Sequence, residues 1–360
     1  MTFTWSKSDV LRYSDAEILP PPSVILELTD TYFQCCHGQP YCYFVEESFR
    51  RRLQEDRLPR YLLRAVLAMA ARFSQDSFFQ GQQQDIIDVY SRSAWDEIYE
   101  KSFSEDDALD ITVVQATNML AVVDFTNGNH NLAWVKTGLS VRFAQSLRLT
   151  ADPLPDLTPE QQEERILTFC DCFVRLPSDS TNTEVEPGST SLTLQTLQDL
   201  SDNETAASLS LFSHTILMAS ALGRIERFSL QKSDSRGSYQ LWHDRSEYSK
   251  IYSLLLNFET YSDVNLVPFS EALDRWYSTD GVIDQRRAGH FIFSAILYNM
   301  NQCLLHHPFL LRNHVKDYKR RVPTTFIKHA LRRGLEHARL LTLALRVIQQ
   351  KDLSLASFYA

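Results

Sequence analysis

The residues with the types and spacing for chemistry fall in three places. Asp106-Asp107-Ala108-Leu109-Asp110 has the two-plus-one aspartate spacing that holds Mg²⁺ in some all-helical enzymes. The same aspartates precede an apolar run from Ile111, where carboxylates favour a helix N-terminus and Asp110 is placed to cap it. No second metal motif of Asn, Ser and Glu accompanies them, so capping is the expected role. Cys303, His306 and His307 stand three and four residues apart, close enough to share a helix face and a soft metal. No further ligand is signalled, and a half-buried thiol with two histidines at a helix end before Pro308 is the expected outcome. Cys35, Cys36, His37 and Cys42 are irregularly spaced around a tight loop and are discounted in the same way.

The sequence contains no Gly-rich phosphate loop, no Gly-x-Ser-x-Gly elbow and no His-Glu-x-x-His pair. Hydrolytic and nucleotide-dependent chemistries therefore lose most of their support, and no cofactor is expected in this chain. Six cysteines are an even number, but none forms a Cys-x2-Cys pair, so the zinc-finger, zinc-ribbon and binuclear-cluster spacings are absent and no metal site is expected. What remains is a set of polar and aromatic residues that could line a ligand pocket between helices or satisfy core hydrogen bonds: Trp134, Arg142, Tyr298, Asn299 and Asn301.

The elements that must position these residues read as helices throughout. The stretch from Ile111 to Leu149 is two apolar segments joined at Asn127-Gly128-Asn129, a hinge short enough to predict an αα-hairpin. In the second segment Leu132, Val135, Leu139, Phe143 and Leu147 form one stripe, and Trp134, Gly138 and Val141 form another nearly opposite. That pattern predicts an internal helix with neighbours on two sides, a close approach at Gly138, and unfolding on Trp134→Ala. Before it, helices are expected from Ser23 as cap, over Glu46 to Glu55, Tyr61 to Phe73 and Asp85 to Phe103. After it they are expected over Glu160 to Arg175, Ala206 to Phe228, Trp242 to Phe258, Gly289 to Leu311 and Leu331 to Ile348. No run alternates with a period of two. The fold class is all-α, a multi-helix bundle built of antiparallel helix pairs, with a disordered internal loop.

The expected organisation is a polar leader over 1–18, one domain over 19–350 with a flexible Ser/Thr/acid-rich connection at 176–206, and a tail over 351–360. No run of about eighteen apolar residues exists; Phe291 to Leu305 comes nearest and is broken by Ser294, Asn299, Asn301 and Gln302, so no membrane span is expected. The first thirty residues carry no basic-then-apolar signal, which predicts a soluble, intracellular chain. Net charge is −9, against nucleic-acid binding through bulk electrostatics. Its distribution is uneven. Ten Lys/Arg lie between Arg312 and Arg346 against Asp317 and Glu336, a local +8 that leaves −17 elsewhere, and a solvated pair of helix faces is the plainest reading of it.

Five phrases, taken in order, resemble the regulatory or middle homology domain of fungal zinc binuclear cluster transcription factors, of the xylanolytic-activator-like kind. Tyr32-Phe33 through Gln39-Pro40-Tyr41 to Glu47-Ser48-Phe49 is similar to its opening. Leu62-Leu63-Arg64-Ala65-Val66-Leu67-Ala68-Met69-Ala70-Ala71-Arg72-Phe73 resembles its second landmark. Asn127-Gly128-Asn129 with Ala133-Trp134 and the run from Gly138 to Leu147 resembles its most recognisable stretch. Leu222-Gly223-Arg224-Ile225 and Leu304-Leu305-His306-His307-Pro308-Phe309-Leu310 resemble later phrases. The resemblance implies a non-enzymatic effector domain that modulates RNA polymerase II transcription in the nucleus. Its implied partners are the transcriptional machinery or co-regulators, a second copy of itself, and a small-molecule inducer. DNA is contacted only indirectly, because the zinc belongs to a DNA-binding module that this sequence does not contain. It also implies a deletion after Phe173, since in the family a segment separates phrases like Phe169-Cys170-Asp171-Cys172-Phe173 and Val174-Arg175-Leu176-Pro177-Ser178-Asp179, which abut here. The alternatives are a Mg²⁺-dependent, terpene-synthase-like enzyme built on Asp106, and a dimerisation module that antagonises full-length relatives.

Overall fold

A computed structural model describes residues 19–39, 41–74, 76, 78–79, 81–104, 109–149, 157–168, 211–230, 239–262, 264, 266–315 and 322–353. Thirteen helices and one two-stranded ladder lie among them, so the chain is all-α. They form two compact units: Met1–His37 with Tyr41–Thr168 and Leu355–Ala360, and Gly38–Pro40 with Phe169–Ser354. The leader at 1–18, the connection at 176–206, the aspartates at 106 and 107, and the junction after Phe173 lie outside the described residues, as does most of the tail.

The first unit holds α1 (Pro22–Cys35), α2 (Glu46–Gln54), α3 (Arg60–Ala71), α4 (Gln83–Phe103), α5 (Ile111–Thr126), α6 (His130–Ser146) and α7 (Pro159–Thr168). α1 starts one residue before Ser23: Pro22 occupies the first turn, where its missing N–H is no loss, and no side chain caps the end. Tyr32 and Phe33 close this end of the core against Phe44 and Phe49, with Phe44 and Phe49 ring centres 4.7 Å apart. α3 is buried around almost its whole circumference, and so is α5, through Val113, Val114, Ala116, Met119, Leu120 and Val123. Helices apolar all round are interior helices. Gln115, fully buried on α5, donates from Nε2 to the Tyr43 carbonyl at 2.9 Å and to Thr168 Oγ1 at 3.1 Å, tying a loop and α7 to the central helix.

The hinge after α5 forms as its residues predict. Gly128 takes φ of +80°, and the Asn129 N–H returns to the Asp124 carbonyl at 2.8 Å, closing the helix end. The expectation for α6 is overturned. It is not internal on two sides: Trp134 is 66% exposed, Val135 56% and Leu132 43%, and a side chain built at Gly138 would meet nothing. The buried face is Ala133, Lys136, Ser140, Phe143 and Ala144. Small residues on that face allow α6 to lie close along α5, and α5 already supplies the apolar surface. Of the first predicted stripe Phe143 is buried and Leu139 and Leu147 are half-buried, while the second stripe of Trp134, Gly138 and Val141 faces solvent, so the inward face is the first stripe rotated toward Ala133 and Ser140.

The second unit holds α8 (Leu211–Leu230), α9 (Glu247–Tyr261), α10 (Phe269–Trp276), the ladder β1 (Ser278–Thr279) with β2 (Val282–Ile283), α11 (Gln285–Leu305), α12 (Pro308–Val315) and α13 (Thr324–Gln350). α11 is its hub, packed between α8 and α13. Asp284 caps α11 by accepting the Arg287 N–H at 3.2 Å, and Ser246 caps α9 by accepting that of Ser249 at 3.0 Å. The helix expected to run from Gly289 to Leu311 is two helices, because Pro308 has no N–H to continue the ladder. The ladder turns on Asp280 and Gly281, both at positive φ, a pair well suited to a two-residue hairpin. Gly38 and Gly289 meet within this unit: a Cβ on Gly289 would stand 2.8 Å from the Gly38 carbonyl oxygen.

Candidate functional site

The polar residues of the second unit gather where α9, α11 and α13 converge. Tyr298, fully buried on α11, donates its hydroxyl to Glu259 on α9 and accepts from Gln302 Nε2 at 2.8 Å. Burial and then the Glu259 contact push its phenol far above the ordinary range. Asn299 gives its amide N–H to the Ala295 carbonyl at 2.8 Å, which leaves Oδ1 to accept the Nδ1–H of His337 on α13 at 2.9 Å. His306, one turn beyond Gln302, donates Nδ1–H to the Gln302 carbonyl at 2.8 Å. Both imidazoles therefore turn Nε2 inward as an acceptor, and neither Nε2 has a partner among the described residues. Burial above all, then the Arg333 charge, pulls each imidazole down to about 4. At neutral pH this is a cluster of neutral rings and a protonated phenol. It fixes the register of three helices.

The five residues singled out in the sequence do not meet in one place. Tyr298 and Asn299 belong to this cluster. Asn301 is fully buried but serves another junction, donating to the Met218 carbonyl of α8 at 2.8 Å. Trp134 and Arg142 are exposed on α6 in the first unit, Trp134 edge-on to Phe125 at 5.6 Å and Arg142 bonded to Gln145 at 3.1 Å. The feature that residue spacing missed on α6 is a buried ion pair. Lys136 Nζ lies 2.6 Å from Asp124 Oδ2, with both side chains under 10% exposed, and 4.8 Å from the centre of the Trp95 ring. A lysine twelve residues after an aspartate across a hairpin hinge was the available signal.

Asp110, Cys303, His306, His307 and Cys36, from the metal-like spacings, each have partners within the fold. Asp110 accepts the Thr112 N–H at 2.8 Å and pairs with Lys101 at 3.0 Å. Burial pushes its carboxyl up, but the bonds from Thr112 and Lys101 outweigh that and hold it below the usual range. The carboxylate is thus engaged as a cap, and the reading as a Mg²⁺-dependent enzyme gains no support. Cys303 donates weakly to the Gly334 carbonyl, His306 turns into the polar cluster, and His307 packs on Phe309. Cys36 is buried against the Met69 carbonyl. Among the described residues no three His, Cys, Asp or Glu side chains are grouped to hold a metal, and no helix is long and apolar enough to cross a membrane.

Fold and geometry together define two all-helical units, each with buried polar groups that hold its own helices in register. Residues 29–278 match the fungal specific transcription factor domain, and the chain belongs to that family. An uncharacterized transcriptional regulatory protein of Schizosaccharomyces pombe is 23% identical over 283 residues, covering 66% of this chain and 28% of the relative. A second such protein of that yeast is 31% identical over 189 residues, covering 47% and 21%. A Zn(2)-C6 fungal-type transcription factor of Fusarium oxysporum f. sp. lycopersici is 23% identical over 172 residues, covering 47% and 16%. The chain thus spans less than a third of the length of each of these relatives. No solved structure matches.

Proposed function

We propose that the chain is a regulatory domain that modulates RNA polymerase II transcription in the nucleus through contacts with other proteins, without catalysing a reaction and without touching DNA itself. The observation that carries this reading is the family match over most of the helical fold, joined to relatives named as transcription factors. The interior is consistent with it: the polar cluster around Tyr298 and the Lys136–Asp124 pair are spent on helix register, which leaves the helix surfaces as the place where a signal is read. Zinc is expected only on the DNA-binding module of a parent protein. Fusing residues 19–353 to a heterologous DNA-binding domain tests the reading. Reporter transcription in a fungal host should rise or fall relative to the DNA-binding domain alone in at least one growth condition. No change across carbon, nitrogen and stress conditions, with the fusion expressed and folded, overturns it.

A further inference from the structure

α13 has two apolar seams, and only one is used by the fold. Ala330, His337, Ala344 and Ile348 are buried on one side. The second seam is Ile327, Leu331, Leu335, Ala338 and Leu345, with Thr342 among them turning its hydroxyl back onto the Ala338 carbonyl at 2.8 Å, spaced by three and four residues and confined to a stripe about 80° wide at 3.6 residues per turn. All six are exposed, Leu335 by 54%. The seam runs roughly 27 Å along the helix at 1.5 Å per residue. A solvated helix face is ordinarily polar, so an apolar row five turns long is a surface awaiting a partner.

Charge selects the partner. Lys328, Arg332, Arg339 and Arg346 line one edge of the row, all exposed and none paired with a carboxylate among the described residues. The acid on α13 is Glu336, which lies 3.8 Å from Arg333 and flanks the basic edge on the side away from the apolar row, leaving four cations against one carboxylate. A second copy packing antiparallel would set basic edge against basic edge, and packing parallel would set it against the Gly334 and Leu341 side, which carries no acid. Nucleic acid would neutralise the edge but leave the leucines against phosphate. An amphipathic helix with a leucine row and an acidic edge satisfies both features at once, laying apolar anchors along the seam and carboxylates along the basic edge.

We infer that the exposed Ile327–Leu345 face of α13, with its Lys328, Arg332, Arg339 and Arg346 edge, docks an acidic amphipathic helix supplied by another polypeptide. This deepens the reading of the domain as one that acts through protein contacts. The probe is a synthetic helix of about five turns with leucines every third and fourth place and glutamates along one edge. It is titrated into the full chain beside a scrambled peptide of equal composition, a lysine-for-glutamate peptide, duplex DNA and phosphatidylserine vesicles. The acidic peptide should bind at least tenfold more tightly than the scrambled one. Leu331→Gln with Leu335→Gln should weaken it tenfold or more, and Arg332→Glu with Arg339→Glu should shift preference to the lysine peptide. Circular dichroism melts of both variants should match the parent, as all four side chains are exposed. Equal binding of the scrambled peptide, no binding, or binding of DNA or vesicles with the same sensitivity overturns the assignment, as does self-association that the leucine variants abolish. A reporter response with no peptide binding removes the surface and keeps the function; peptide binding with a silent reporter does the reverse.

Discussion

Lys136→Met is the substitution that separates the two accounts of α6. Apolar periodicity makes Trp134 a core residue, whereas the structure buries Lys136 against Asp124 at 2.6 Å and leaves Trp134 66% exposed. Methionine keeps most of the apolar stem but strands the Asp124 carboxylate in a site closed to water. Removing one member of a buried pair costs roughly 3–5 kcal/mol, and loss of the lysine from the Trp95 ring falls within that figure. For a cooperative chain of 360 residues, at about 2.1 cal/mol/K of unfolding entropy per residue, that is a fall of about 5 °C in Tm. Replacing both partners, Lys136→Met with Asp124→Leu, should return to within about 1 kcal/mol of the parent, because no charge is then left unpaired. Trp134→Ala should cost under about 1 kcal/mol, because little of its surface is removed from water by folding. Urea denaturation of the four proteins measures the cycle. Lys136→Met within about 0.5 kcal/mol of the parent, alongside a collapse on Trp134→Ala, would refute the burial argument and restore the apolar stripe as the inward face.

The second unit should lose stability in acid. Burial pulls His214 on α8, His290 on α11, His306 and His337 down to about 4 from an ordinary 6.5, so between these limits unfolding takes up protons. Their contribution is whole above pH 6.5 and is lost as pH falls toward 4, each by up to about 1.4 kcal/mol per pH unit; Tm against pH should slope upward over this window and less steeply in His337→Gln. Gly289→Ala should destabilise by roughly 1–3 kcal/mol, because its methyl group would stand 2.8 Å from the Gly38 carbonyl oxygen and force the backbone there to shift, and a parent-like urea midpoint would show that the approach is looser. Asp110→Ala should cost about 1 kcal/mol through the lost cap while Asp110→Asn recovers most of it, which hydrogen exchange in the first turn of α5 would register.

Helix existence was plain from the sequence because a turn of 3.6 residues writes itself into apolar spacing, and α3, α5 and α11 have enough of it to leave no doubt. Short elements escaped. α10 and the ladder at Asp280-Gly281 lie in a stretch where too few residues repeat for periodicity to register, although Asp-Gly is a hairpin signal in its own right. The failure on α6 has a different cause. Ala133, Ser140 and Ala144 are buried because they are small enough to let the backbones approach, and a hydrophobicity pattern weights them below the larger side chains on the outer face. The ion pair was hidden for the same reason, since a charge counts as surface until its partner is known. Around Tyr298 the sequence offered the right residue types on α11, but His337 and Glu259 lie 38 and 39 residues away along the chain, and no spacing rule reaches that far.

Because α13 turns one seam inward and keeps the other outward, its sequence has a fixed phase as well as a composition. A single residue inserted after Glu336 would rotate everything beyond it by about 100°. His337 would leave Asn299, and Arg339 and Arg346 would arrive at the half-buried places now held by Leu340 and Val347. Both surfaces would be lost in one step. Such a helix can absorb many exchanges of side chain, but its length between Thr324 and Gln350 is not free to drift.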